Sequence, residues 1–200
     1  MKAAVQSIEV KEAILDATDR FLSNFGYKKM TIDDLAREVG IGKGSIYLHF
    51  SSKEEIALSH IDRIVERVKE QLEAIAKSAV SDEEKLRQML LARVLLRFDS
   101  VQHYKQSLND LLAGLRPKLL ARRKQYFAEE AEIFAKVIKE GQVKEEFQKE
   151  NAVKLAEIFL LATNSLLPFS LTTQELGERR EIEEKTLRVA DLLLKGLKKV

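Results

Sequence analysis

The chain has 200 residues and a formal charge of +2, from 34 Lys+Arg against 32 Asp+Glu. Hydrophobic residues make up 45% and charged residues 33%, which excludes both a disordered chain and a membrane-embedded one. There is no cysteine, so disulfides, thiolate metal sites and thiol redox chemistry are excluded together, and 8 Gly with 2 Pro are too few for a protein of strands and tight turns.

Strong helix formers dominate, so the expected class is all-α. The first helix is expected over about Ile8 to Asn24, with Val10, Ile14, Ala17, Phe21 and Phe25 on one buried stripe and Gly26 closing it. Thr31 is placed to cap a second helix, with Asp34 three residues on. Ile32, Leu35, Ala36 and Val39 then give a short amphipathic pattern that Gly40 ends. Ile41 and Gly42 make a turn, and a short helix follows from about Lys43 to Phe50. Ser52 and Glu55 form a capping box for a fourth helix that starts at Lys53 and runs to about Lys77.

Beyond it, helices are expected from Ser81 or Asp82 through Phe98, and, after a break near Ser100–His103, to about Ala113. Pro117 suits the first turn of a long helix that Gly141 would cap. Two final helices, Asn151 to Leu167 and Glu178 to Lys198, bring the expected number to about nine. The N-terminus carries no apolar run before a cleavage site. The most apolar segment, Ala156 to Phe169, contains Glu157, Asn164 and Pro168 and is too short to span a bilayer. A cytoplasmic location without membrane contact is the expectation.

The stretch GIGKGSIYLHFSSKEE, from Gly40 to Glu55, raises the possibility of a phosphate-cradling loop. It fails both nucleotide motifs. Gly42-Lys43 is followed by Gly44 where a Walker A loop needs Ser or Thr, and Gly40, Gly42 and Gly44 give G-x-G-x-G in place of G-x-G-x-x-G. Both motifs also follow a buried strand, whereas an amphipathic helix precedes this one. The alternative is a helix-turn-helix. Ile46 and Phe50 then face inward, and Lys43, Gly44, Ser45 and His49 are left on the outer side. Gly44 lets backbone approach DNA closely, Lys43 can donate to guanine or phosphate, and Lys53 combines charge with free backbone N–H groups. Residues 1–52 hold seven basic and seven acidic residues, so DNA affinity must come from where charges sit.

The run TIDDLAREVGIGKGSIYLHFSSKEEI is similar to the DNA-binding signature of the TetR/AcrR family of transcriptional regulators, through Thr31, Leu35-Ala36, Gly40, Gly44, Ile46-Tyr47, His49-Phe50 and Lys53. The resemblance covers about 45 residues. It implies a helix-turn-helix DNA-binding domain over residues 1–52 and a helical ligand-binding and dimerisation domain over residues 53–200. It also implies a homodimer on palindromic double-stranded operator DNA, most often a repressor. By the same resemblance Thr31, Tyr47, His49 and Lys53 would contact the DNA backbone, and Lys43, Gly44 and Ser45 would read bases. At position 42 this chain departs from the family: Gly42 offers no capping side chain where many members carry one.

The expected effector is small and largely apolar. Phe98, Tyr104, Asn109, Tyr126, Phe127, Phe159 and Asn164 are candidates to line its pocket. Leu155, Phe159, Leu187, Ala190, Leu194 and Leu197 are candidates for the dimer seam. Arg116 to Lys124 packs five basic residues into nine, which reads as a solvated helix face. The three histidines form no ligand-spaced pair, and no two carboxylates stand out as acid and base. Neither metal, cofactor nor catalysis is expected, and a helical carrier or enzyme without DNA activity is the alternative.

Overall fold

A computed structural model describes residues 2–102, 105–168 and 177–199, with the side chains of 2–6, 105–109 and 111–112 excepted. Eight helices are present among the described residues: α1 (Lys2–Asn24), α2 (Ile32–Val39), α3 (Lys43–His49), α4 (Lys53–Ala76), α5 (Asp82–Val101), α6 (Lys105–Val143), α7 (Ala152–Asn164) and α8 (Arg179–Leu197). One isolated antiparallel bridge joins Phe147 to Lys198. None of the described helices is long and apolar enough to cross a membrane.

Two compact units divide the chain. The first comprises Met1–Arg63 with His103–Leu119, and the second Ile64–Gln102 with Leu120–Val200. The segment 1–52 lies wholly in the first unit, and α4 and α6 each run through both.

In the first unit α2 packs on α1 and on α3. Ile14, Leu15, Ala17, Leu22, Met30, Leu35, Ile46 and Phe50 are buried there. The α1 stripe is therefore shifted from the expected one. Phe25 is 57% exposed, while Leu15 and Leu22 turn inward. Gly26 adopts φ 78° and takes the chain out of α1, so Phe25, at the last turn, has left the inward face. Ion pairs tie the surface of this unit, among them Arg20 to Glu38 at 3.0 Å and Arg63 to Asp16 at 2.7 Å. Within the same unit α6 approaches Tyr27 at Gly114, where a Cβ would stand 3.3 Å from the ring.

The second unit packs α5 on α8, with α7 against both. Its core forms two clusters. The larger holds Leu72, Leu86, Met89, Leu90, Phe134, Ile138, Phe147, Phe159, Leu160, Ala190 and Leu194. The smaller holds Val94, Leu95, Phe98, Leu167 and Ile182. Ser81 caps α5 by accepting from Glu84 N at 3.3 Å, and Asn151 caps α7 by accepting from Lys154 N at 3.0 Å.

Two sequence expectations about this region need correction. The short helix ending near Ala113 and the long helix starting at Pro117 are one helix, α6, with Pro117 inside it. That lowers the number from about nine to eight among the described residues. A proline at 117 deprives the carbonyl of Ala113 of its donor, but Ala113 is exposed and solvent can supply the bond, so the break is not forced. Gly141 does not end α6 either, since the helix continues to Val143. Its glycine is needed for another reason: a Cβ there would stand 2.2 Å from Cδ2 of the buried Phe147 ring. The chain reverses at Glu145, at φ 61°, and Glu146 N returns to Gly141 O at 2.9 Å.

Candidate nucleic-acid interface

The turn between α2 and α3 follows from two glycines with different duties. Gly40 takes φ 74°, in the left-handed region, and its N–H bonds to the carbonyls of Ala36 and Arg37. Gly42 is the N-cap of α3 in extended geometry (φ −72°, ψ 148°), and no side chain caps the helix there. The first turn of α3 thus keeps backbone donors without a side-chain partner, next to the residues expected to meet DNA.

Thr31 performs the capping expected of it. Its Oγ1 accepts from Asp34 N at 3.1 Å and donates to Asp34 Oδ2 at 2.6 Å. Ser52 Oγ likewise accepts from Glu55 N at 3.1 Å at the start of α4. Thr31, Gly42 and Lys53 thus stand at the N-termini of α2, α3 and α4.

The α3 side chains sort by face. Ile46 is fully buried and Phe50 nearly so. Lys43 and Gly44 are exposed, Ser45 and His49 half-buried. Tyr47 is 51% and Leu48 84% exposed, two large apolar groups on a helix of seven residues. Around Gly44 nothing lies within 4 Å of where a Cβ would project, so the protein's own packing does not require glycine there. Lys43 Nζ donates to Asp33 Oδ2 at 2.8 Å, a pair between α2 and α3 that raises the lysine pKa, first through that hydrogen bond and then through the carboxylate charge. Lys53 is held differently. Its Nζ sits 4.5 Å from the Tyr27 ring centroid and 3.4 Å from Lys28 O, and partial burial lowers its pKa.

Thr31, Lys43, Gly44, Ser45, Tyr47, His49 and Lys53 all fall in the first unit, on α3 and at the starts of α2 and α4. Leu48 was missed. Its signal was an apolar residue off the Ile46–Phe50 stripe of an amphipathic helix.

The candidate pocket residues are less united. Phe159 is buried in the larger cluster of the second unit and Phe98 in the smaller one. Tyr126, Phe127 and Asn164 are half-buried, and Tyr104 and the side chain of Asn109 lie outside the described residues. An open cleft of about 470 Å3 is lined by Glu66, Lys69, Glu73, Glu129 and neighbours, and by none of the candidates. Of the candidate seam, Phe159, Ala190, Leu194 and Leu197 are at most 3% exposed within the protomer's own core, and Leu155 and Leu187 are half-buried. The apolar side chains that α7 and α8 leave outside are Ile158 (51% exposed), Leu161 (60%) and Leu192 (70%).

Sequence analysis also missed a buried polar group in the second unit. Arg93, Arg97 and Glu130 are 2%, 5% and 1% exposed. Arg93 Nε donates to Glu130 Oε2 at 2.6 Å, its Nη1 to Thr163 Oγ1 at 2.9 Å and its Nη2 to Asn164 Oδ1 at 2.9 Å. Arg97 Nη1 donates to Arg93 O at 2.9 Å, and its Nη2 to Glu130 Oε1. The signal lay in the spacing: Leu86, Leu90, Arg93 and Arg97 share one face of α5 at steps of four, three and four.

Two short helices joined by a glycine turn, with the second one's outer face uncovered, make a helix-turn-helix DNA-binding fold. Residues 14–59 match the family described as bacterial regulatory proteins, tetR family. YhgD of Bacillus subtilis (strain 168), an uncharacterized HTH-type transcriptional regulator, is 30% identical over 86 residues, covering 43% of this chain and 45% of its own. The matched stretch spans less than half the length of that relative. A transcriptional regulator from Cytophaga hutchinsonii ATCC 33406 superposes with a TM-score of 0.75 at 22% identity over 94% of this chain and 98% of its own. A TetR-family regulator from Pectobacterium atrosepticum gives 0.76 at 21% identity over 98% and 97%. At such identities the two structures share the fold.

Proposed function

We propose that the protein is a transcriptional regulator of the cytoplasm, a repressor that binds a palindromic operator as a homodimer and is released by a small-molecule inducer. The outer face of α3 carries this reading, because Lys43, Gly44 and Leu48 are exposed there, Tyr47 is half so, and nothing within the protein requires glycine at 44. Lys43 and Ser45 read base edges in the major groove, and Leu48 meets a thymine methyl. Thr31, Tyr47, His49 and Lys53 hold the phosphate backbone, which fixes register without carrying sequence information. Dimer formation uses the outer faces of α7 and α8, where Ile158, Leu161 and Leu192 remain uncovered. Two reading heads then engage half-sites about 34–36 Å apart. The effector binds in the second unit, and α4, continuous through both units, transmits the change.

Electrophoretic mobility shift on the palindromes flanking the protein's own gene, across a salt series, tests the reading. Lys53→Ala should weaken all sequences alike and flatten the salt slope by about one, while Lys43→Ala and Ser45→Ala alter sequence preference. No retardation of any palindrome at low salt overturns the proposal.

A further inference from the structure

Seven acidic residues lie among the first 52, and most are committed to the fold. Glu12 and Asp16 hold Arg63, Asp19 lies 3.3 Å from His60 Nε2, Asp34 serves the Thr31 cap and Arg37, and Glu38 pairs with Arg20. Asp33 is different, because its partner is Lys43 on the outer face of α3. Neither side chain has another hydrogen-bond partner among the described residues, and the two are 60% and 50% exposed. An exposed ion pair adds little to stability, and α2 and α3 already pack on one another with Leu35 and Ile46 buried. A carboxylate brought to this face is repelled by phosphate, so its place there calls for a role at the base edges.

The ammonium has three donors, of which Asp33 takes one. The carboxylate keeps acceptor sites on both oxygens, since only Oδ2 is engaged, at 2.8 Å from Nζ. In a G·C base pair, guanine O6 and cytosine N4 are hydrogen-bonded to each other and so stand about 2.9 Å apart. Guanine shows the major groove an acceptor there, and cytosine a donor. Laid edge to edge, the lysine–aspartate pair sets a donor against that acceptor and an acceptor against that donor, at matching spacing. Guanine N7 takes a second ammonium proton. An A·T pair fits less well. Lys43 on thymine O4 would meet the 5-methyl group where guanine offers N7, and Asp33 on adenine N6 would stand beside the lone pair of adenine N7.

We infer that Asp33 and Lys43 act as one specificity-determining unit that reads a G·C base pair in each half-site, Lys43 donating to guanine and Asp33 accepting from the cytosine amino group. The pair carries no net charge, so it adds sequence preference and little salt-dependent affinity. This rests on the proposed operator binding by α3, and it adds α2 to the elements that read bases.

Selection of binding sites from a randomised duplex pool by the full chain, followed by fluorescence anisotropy on the selected site, tests the inference. The parent should select a G·C pair at one position of each half-site. Asp33→Ala and Lys43→Ala should both relax preference at that same position. N4-methylcytosine, whose methyl group takes the place of the groove-facing hydrogen, should weaken binding of the parent about tenfold and of Asp33→Ala by less than about twofold. The methylated site probes the unaltered protein, so that arm holds even where a variant is unstable. If Asp33→Ala tightens all sequences alike and steepens the salt slope, the aspartate only masks Lys43. That result, relaxation at different positions in the two variants, or an N4-methyl group without effect on the parent overturns the inference. Failure of the parent to enrich any palindrome refutes operator binding itself, and so is told apart from failure of the pair.

Discussion

Replacing Gly44 by alanine separates two demands on α3 that ordinarily go together. In the free protein a Cβ at this position meets nothing within 4 Å, and Gly44 lies second in a helix of seven residues. Glycine costs about 0.8–1 kcal/mol against alanine inside a helix, and roughly half of that applies in a first turn. Gly44→Ala should therefore stabilise the fold by about 0.5 kcal/mol, or raise Tm by about 1–2 °C. On DNA the sign reverses, because the added methyl occupies the space through which the duplex approaches the backbone. Operator affinity should fall about tenfold, which is about 1.4 kcal/mol, and non-specific binding should fall less. Thermal unfolding and fluorescence anisotropy on operator and random DNA read the two effects on one preparation. Greater stability with undiminished operator affinity refutes close approach at Gly44. Lower stability refutes the open geometry of the free α3.

The acid limb of stability should depend on Asp82. Burial acts to raise its pKa, but Lys144 and Lys85, at 2.6 and 3.1 Å, outweigh burial and hold the carboxyl below its ordinary value. A depressed folded pKa gives stability that is fully present above the unfolded value of about 3.9 and is lost as pH falls through the folded one. Asp82→Asn should cost about 2 kcal/mol at pH 7 and flatten the decline of urea midpoints as pH falls below about 4. An unchanged acid slope would falsify the assignment. Gly141→Ala should destabilise by about 1–3 kcal/mol, since the Phe147 ring must leave its place. A urea midpoint equal to the parent's would show that the ring moves freely.

Local chemistry was legible wherever one stretch of chain decides the outcome. The caps at Thr31 and Ser52, the turn at Gly40 and the inward pair Ile46 and Phe50 all follow from residues within a few positions of one another. Phe25 and Leu22 show the limit even at short range, because spacing alone does not say which turn of α1 is the last to face the core.

Elsewhere the residues were visible and their meaning was not. Pro117 and Gly141 are helix punctuation by local rules, yet α6 runs through both. Solvent beside Ala113 tolerates the first, and the Phe147 ring explains the second. Ala190, Leu194 and Leu197 have the spacing of a seam, and only packing shows that seam already filled within the protomer, with Leu192 left outside. Arg93 and Arg97 stood on the apolar stripe of α5 throughout. Their significance depends on Glu130, Thr163 and Asn164, which arrive from 33 to 71 positions further along the chain. By itself the sequence determined the short helices α2 and α3, the turn between them and the caps beside them, because hydrogen bonds within a turn or two decide them. Tertiary structure alone decided which apolar faces were spent in the core and which charged side chains were buried together, because burial is a property of neighbours brought together from distant parts of the chain.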